Sequence, residues 1–407
     1  MGNRERNRFR KILHLDLDAF FCAVEEKLDP QLRRKAFAVG GSPEGRGVVT
    51  SCSYAARRLG IRSAMPMIKA LHIFPQLLVV KSHYEEYSKS SQRVMEILRN
   101  LTPLVEQISI DEAFLDVSDL SKPSREIAVE LQKKIFSELG LPCSIGVASN
   151  KLLAKIATNL GKSKYKGLSF PMAISEVPAG EEAKFLAPLP INQMWGIGPK
   201  MEESLHKKGI HTIGEIVRTP VDYLVKDYGK FGYILAEHAR GIDARPVEEE
   251  EGIKSVSNEI TFFEDLDDEK KIIATIQNLA IKIGYRLRKR GLSGFTIRIK
   301  IRWPNFETHT RQLTLTQPTN QDSLINNASR QLFYQIWKKG QKVRLIGVGV
   351  SQITQYFQQL SLLDKSYEKE RKLLEAVDDL HHRFGQNVIY RGSAEQKAEN
   401  KKIISYQ

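Results

Sequence analysis

The sequence predicts an α+β protein of several domains, and three observations carry that expectation. The chain has 407 residues, too many for one hydrophobic core. Runs rich in β-branched and apolar residues alternate with segments of helical period along most of its length. Two of those runs, Lys11 to Phe21 (KILHLDLDAFF) and Gln107 to Val117 (QISIDEAFLDV), hold carboxylates where a plain buried strand would hold none. Hydrophobic residues make up 41% and charged residues 27%, ordinary for a soluble protein. The balance of 62 Lys and Arg against 48 Asp and Glu, a formal +14, is less ordinary. It suits a polyanion partner, since neutralising phosphates releases counterions. A membrane surface would suit the charge too, but no run of about 18 apolar residues is present, and the basic start leads straight into an acid-bearing strand. The expected location is cytoplasmic, with no membrane partner. Cys22, Cys52 and Cys143 are far apart and odd in number, and are expected to be buried thiols.

The carboxylates are the chemical signal. Ile108, Ile110, Ala113 and Leu115 bracket Asp111 and Glu112 in a run that reads as a buried strand hairpin. Adjacent carboxylates in an apolar setting raise each other's cost of ionisation and stay charged only beside a cation. In the first run Asp16 and Asp18 are two apart and leave one face of a strand. If the two strands lie side by side, Asp16, Asp111 and Glu112 converge on hard divalent cations. Oxygen ligation suits Mg²⁺, and two such ions are the usual apparatus for in-line displacement at phosphorus. A lone Asp-Glu pair is more often a solvated turn.

HLDLDAFFCAVEE together with QISIDEAFLDVS resembles the signature pair of the Y-family DNA polymerases, the translesion enzymes, most like their bacterial DNA polymerase IV branch. The likeness runs from about Ile12 to about Tyr390. It implies a right-hand polymerase with a ferredoxin-like palm (1–19 and 84–175), small fingers (20–83) and a helical thumb (176–240). A linker (241–252), a little finger of sheet plus two helices (253–355) and a tail (356–407) follow. It also implies low-fidelity primer extension with dNTPs past damaged template, without proofreading, by a monomer on primer-template DNA. Two Mg²⁺, replaceable by Mn²⁺, would be bridged by Asp16 and Asp111. The Leu17 carbonyl would serve the nucleotide-side ion and Glu112 the primer-side ion, with Asp18 and Asp116 structural.

Residues 12 to 21 read as the first strand, followed by a helix over AVEEKLDPQLRRK that ends before Ala36. Strand alternation buries one of Phe20 and Phe21; the resemblance makes Phe21 the steric gate, a ring that leaves no room for a 2′-hydroxyl. GVVTSCSYAARR passes from strand to helix with Ser51 or Ser53 as cap, placing Tyr54 and Arg57 on one helical face. The resemblance gives Tyr54 and Arg57 the nucleotide's β and γ phosphates, and sets Thr50 against the nascent base pair. A helix from about His83, the acidic hairpin, a helix over REIAVELQKKIFSELG and a strand over CSIGVAS complete a β, α, β, β, α, β order, that of a split βαβ palm. The next helix carries lysines at 151, 155, 162, 164 and 166, and a lysine run reads as a solvated face. The resemblance brings Lys162 alone to the triphosphate, although SKYKG follows where the family often has Pro-Asn-Gly.

WGIGPKMEESLHKKGI resembles a helix-hairpin-helix, in which Gly196, Gly198 and Lys200 meet DNA phosphates. GIDARPVEEEEGIKSV reads as an exposed linker. From 253 to 355, four alternating strands and two helices hold 17 Lys and Arg against 8 Asp and Glu, a balance of +9. TIRIKIRW puts Arg298, Lys300 and Arg302 on one face and isoleucines on the other. The resemblance lays that face across the major groove. In the tail, Gln359, Leu360, Leu362 and Leu363 resemble the peptide that docks on the sliding clamp (beta subunit). DLHHRFGQNVIYRGSA reads as a short helix and turn, and the last dozen residues as disordered. Rival readings are a non-catalytic DNA-binding accessory factor, a nucleotide cyclase and, within the family, the error-prone subunit of DNA polymerase V. The complete carboxylate set weighs against the first, and the hairpin and basic sheet against the second.

Overall fold

The computed structural model describes residues 10–249, 252–356, 365–385, 389 and 404–406. They form two compact units, one of the chain up to Gly40 with Val48–Glu251, the other of Gly41–Gly47 with the chain from Gly252 onward.

In the first unit, β1 (Ile12–Leu17) leads into α1 (Phe20–Leu28), then β2 (Phe37–Gly40), β3 (Val49–Cys52), α2 (Tyr54–Arg58), α3 (Met67–Ile73) and β4 (Leu78–Val80). There follow α4 (Tyr84–Leu101), β5 (Val105–Gln107), β6 (Glu112–Asp116), α5 (Ser124–Leu139), β7 (Cys143–Ala148), α6 (Lys151–Lys164) and β8 (Ile174–Glu176). The main sheet has the order β5-β6-β1-β7-β8, antiparallel except for the last pair. Without β8 this is the ferredoxin-like order that the sequence predicts. β1 is central because it is apolar on both faces. Leu13, Leu15 and Leu17 pack with residues of α4 and α5 in one core cluster, while Ile12 and Phe114 pack with Leu152, Leu153 and Ile156 of α6 in another. Asp16 shares the face of Ile12 and His14, so its carboxylate leaves the sheet on the α6 side. β2, β3 and β4 make a separate three-stranded sheet. Ser53, not Ser51, caps α2 by accepting from the Ala56 amide.

Several expectations are corrected. Phe20 and Phe21 lie in the first turn of α1, not on the strand, because β1 ends at Leu17 and Ala19 turns the chain with φ 44. α1 stops at Leu28, and Pro30–Leu32 form a 3-10 turn. Asp111 is in the hairpin turn just ahead of β6 rather than in a strand. The stretch after Ala239 is no loose tether. Asn150 donates to the Gly241 carbonyl, Asp243 accepts from the Leu152 amide, Arg245 stacks over Trp195 at 4.7 Å and Val247 is buried. Short helices α7 (Glu182–Leu186), α8 (Pro199–His206), α9 (Ile213–Arg218), α10 (Val221–Tyr228) and α11 (Lys230–Ala239) precede it.

The second unit runs β9 (Ser255–Leu266), α12 (Glu269–Arg288), β10 (Leu292–Arg302), β11 (Thr308–Thr319), α13 (Asp322–Tyr334) and β12 (Val343–Gln355). Its antiparallel sheet has the order β11-β10-β12-β9, extended at β9 by β13 (Ile404–Tyr406). That strand falls among residues expected to be disordered. Ile297, Ile299 and Ile301 face a core shared with α12 and α13, as alternation requires. The tail holds more than a short helix: α14 (Lys365–Phe384) spans 20 residues, and its Asp378 takes Arg288 of α12 through both carboxylate oxygens. The clamp-like residues Gln359, Leu360, Leu362 and Leu363 lie outside the described residues.

Candidate active site

Antiparallel register sets Asp16 directly opposite Glu112, and the Leu17 amide donates to the Asp111 carbonyl at 2.9 Å. The pairing therefore brings three acids to one end of adjacent strands. Asp16, Leu17 and Asp111 line a cavity of about 250 Å³ together with Phe20, Phe21, Thr50, Arg57 and Lys162. Ser63, which the sequence did not single out, and Ser51, which it offered only as a helix cap, line it too.

Electrostatics inside it follow from burial. Asp111 is pushed upward by burial and by its neighbours Asp16 and Glu112, against a hydrogen bond from Ser109. Lys162 Nζ stands 2.6 Å from Asp16 and 3.3 Å from the fully buried Asp18. Burial alone would lower Lys162, but those two carboxylates outweigh it and hold the ammonium above its ordinary value. Asp18 is itself raised by burial, and it accepts from Ser144 and from the Met172 amide, which fits a structural part.

Glu112 does not line this cavity. Its carboxylate takes Lys155 at 2.7 and 2.9 Å and lies 3.4 Å from His14 Nε2. Burial would raise it, but Lys155 and His14 carry it down to about 2. His14, buried between β1 and α6, is lowered by burial, and its Nδ1 meets Thr158. Three lysines of the run, Lys151, Lys155 and Lys162, are thus not on a solvated face, whereas Lys164 and Lys166 are exposed as expected. Lys151 is buried and pairs with Glu106 at 2.6 Å, and Lys151, Lys155 and Lys162 lie at helical spacing along the side of α6 nearest the acids.

Tyr54 sits beneath Arg57, whose guanidinium is 4.8 Å from its ring, and lines a different cavity. Phe21 rests on Tyr87, rings parallel at 4.3 Å. Gly196, with φ 98, and Gly198 at the cap of α8 are exposed beside Lys200. Of the basic strand, Lys300 is paired with Glu259 at 2.7 Å, while Arg298 and Arg302 have the neutral partners Gln312 and Thr308.

Among the described residues, no three Asp, Glu, His or Cys side chains are already arranged around a metal. The donor set nonetheless fits hard divalent cations. It is all oxygen, it gathers at one end of two adjacent strands, Asp111 is raised by burial and by the like charges of Asp16 and Glu112, and ammonium groups stand against Asp16 and Glu112.

The impB/mucB/samB family matches residues 15–159, its C-terminal domain 253–362 and the IMS family HHH motif 179–210. DNA polymerase IV of Dehalococcoides mccartyi (strain CBDB1) is 38% identical over 387 residues, covering 94% of this chain and 97% of the relative. DNA polymerase IV 1 of Bacillus subtilis (strain 168) is 35% identical over 401 residues, covering 96% and 95%. A Y-family DNA polymerase chimera of Dbh and Dpo4 superposes with a TM-score of 0.75 at 26% identity, over 85% of this chain and all of that one. An insertion ternary complex of Dbh DNA polymerase superposes with a TM-score of 0.61 at the same identity, again over 85% and 100%. With relatives above 30% identity along nearly its whole length and acids, cations and aromatic rings gathered at one cavity, the chain belongs to the Y-family of DNA polymerases, the translesion enzymes.

Proposed function

We propose that the chain extends primers on damaged or distorted template by two-metal nucleotidyl transfer from dNTPs, with low fidelity and no proofreading. The observation that carries this reading is the single cavity shared by Asp16, Asp111, Lys162, Arg57 and Phe21. Asp16, Asp111 and the Leu17 carbonyl would hold Mg²⁺, or Mn²⁺ in its place, and Glu112 would complete the primer side once released from Lys155. Such ions, when bound, make the primer 3′-hydroxyl a stronger nucleophile and neutralise phosphoryl charge. The 3′-oxygen bonds to the α-phosphorus, the bond to the β-phosphate oxygen breaks, pyrophosphate leaves and the hydroxyl proton passes to water. Arg57 and Lys162 stabilise charge on the transferring and leaving phosphates, with Tyr54 supporting Arg57. Phe21 closes on the sugar, Thr50 meets the nascent pair, and the gate rejects ribonucleotides.

The exposed Gly196, Gly198 and Lys200 would grip duplex phosphates, as would Arg298, Lys300 and Arg302. Gln359, Leu360, Leu362 and Leu363 would dock on a bacterial sliding clamp. We further propose a monomer acting in the cytoplasm. No helix of the described residues is long and apolar enough to cross a membrane.

Extension of a labelled primer with Mg²⁺ and single dNTPs tests the core of the reading. Wild type should add nucleotides without shortening the primer, Asp111→Ala should add none, and Phe21→Ala should accept ribonucleotides. Wild type that binds primed DNA and adds nothing would transfer the chain to the accessory-factor reading.

A further inference from the structure

Tyr54 lines a second cavity of about 510 Å³, twice as large as the first. Its size is that of small-organic-ligand sites, which run from about 300 to 1,000 Å³, rather than of an ion site. Two kinds of surface meet in it. On one side are the cations Lys27, Arg33 and Arg34, from the end of α1 and the turn after it. Lys27 donates to the Leu139 carbonyl at 3.0 Å, and the carboxylates Glu26 and Glu138 line the cavity as well. Neither arginine side chain donates a hydrogen bond to another described residue, and Arg34 is held in the left-handed region with φ 61. A side chain other than glycine adopts that conformation at a cost, and such outliers collect at binding sites. On the other side are Phe136 and Leu168, 47% and 49% exposed although large and apolar, and Phe170, whose ring meets Tyr54 edge to face at 5.9 Å. An aromatic corner with open apolar neighbours offers a flat ring a place to pack. The paired guanidiniums offer phosphate its preferred bidentate partners.

We propose that this cavity is a second site, for a free nucleotide whose base packs on Phe170, Phe136 and Leu168 and whose phosphates pair with Lys27, Arg33 and Arg34. Inorganic pyrophosphate would leave the apolar side unused. Because Tyr54 walls this cavity and carries Arg57 over its ring, an occupant is coupled mechanically to the residue proposed to hold the incoming triphosphate. Only that coupling rests on the polymerase mechanism; the site itself does not.

Equilibrium dialysis of the full-length protein with radiolabelled ADP, in EDTA and without DNA, tests it independently of activity. One ADP should bind per chain. Arg33→Ala with Arg34→Ala, both exposed and neither hydrogen-bonded through its side chain to a described residue, should weaken binding at least tenfold. Phe136→Ala should weaken ADP and spare pyrophosphate, while Lys162→Ala, in the other cavity, should leave ADP binding as it was. Absence of ADP binding by wild type, binding that survives loss of both arginines, or binding lost with Lys162→Ala would each overturn the proposal. Pyrophosphate binding as tight as ADP would reduce the cavity to an anion site and overturn it as well. Primer extension, measured separately, reports on the catalytic reading and is not at stake in these outcomes.

Discussion

Phe21 is held by what lies under it. Tyr87, fully buried, stacks on its ring and donates its hydroxyl to Glu25, which is 2% exposed and also takes His83 Nδ1 at 2.9 Å. Tyr87→Phe should keep the stack, and with it sugar discrimination, while leaving Glu25 short of a donor. The expected loss is about 1–3 kcal/mol in urea unfolding, with an unchanged ratio of dNTP to rNTP incorporation. The next residue gives a pH dependence. Glu26 is pushed up to about 7 by burial, with Arg33 opposing, against an ordinary value of 4.5. A carboxyl raised in the folded state stabilises fully below 4.5, and that contribution is lost as pH rises through 7. Glu26→Gln should therefore match wild type at pH 4 and exceed it by about 1–2 kcal/mol at pH 8, after discounting for partial exposure. Denaturation midpoints across that range check it. Asp16 and Asp111 were legible from sequence because acids inside apolar runs contradict their surroundings. Lys151 and Lys155 were not, since lysines four apart on a helix look solvated until the acids opposite them, on other elements, are known. His14, between Leu13 and Leu15, gave no signal of the contact its ring makes with Glu112.

Element order was legible too, from period and punctuation, but element order does not by itself fix strand order. Both units use β, α, β, β, α, β, and in both the first strand pairs with the last of the repeat, yet β1 has a further strand of the repeat on its other side whereas β9 stands at the edge of its repeat, with β13 beyond it. Which strand lies inside depends on how helices cover both faces, a matter of packing between distant segments. The approach of α6 to β7 shows how tightly that is set. A Cβ on Gly146 would overlap the Ala154 carbonyl and the Thr158 backbone nitrogen. Gly146→Ala should push α6 off the sheet, costing about 1–3 kcal/mol. It should also lower primer extension, because the same helix carries Lys155 and Lys162. A melting curve and an extension assay on one sample check both. If stability falls and extension does not, the helix position is not what places those lysines.

Charge acts over the whole molecule. Each freed phosphate contact lowers the salt slope of duplex binding by about 0.9. Arg298→Ala and Arg302→Ala should each remove about that much. Lys300→Ala should remove less, since Glu259 already answers its charge. Fluorescence anisotropy against salt concentration separates the three. The lysines of α6 have a practical consequence. Because Lys162 and Lys155 already sit against Asp16 and Glu112, the acidic end of the sheet carries its own counter-ions in the absence of any other cation. Divalent ions would then be reagents that compete their way in, not part of the scaffold. Protein stripped with EDTA should lose primer extension but keep its melting temperature, and should recover when Mg²⁺ is returned. Purification in chelator would then yield a folded, idle enzyme that can be started at a chosen moment.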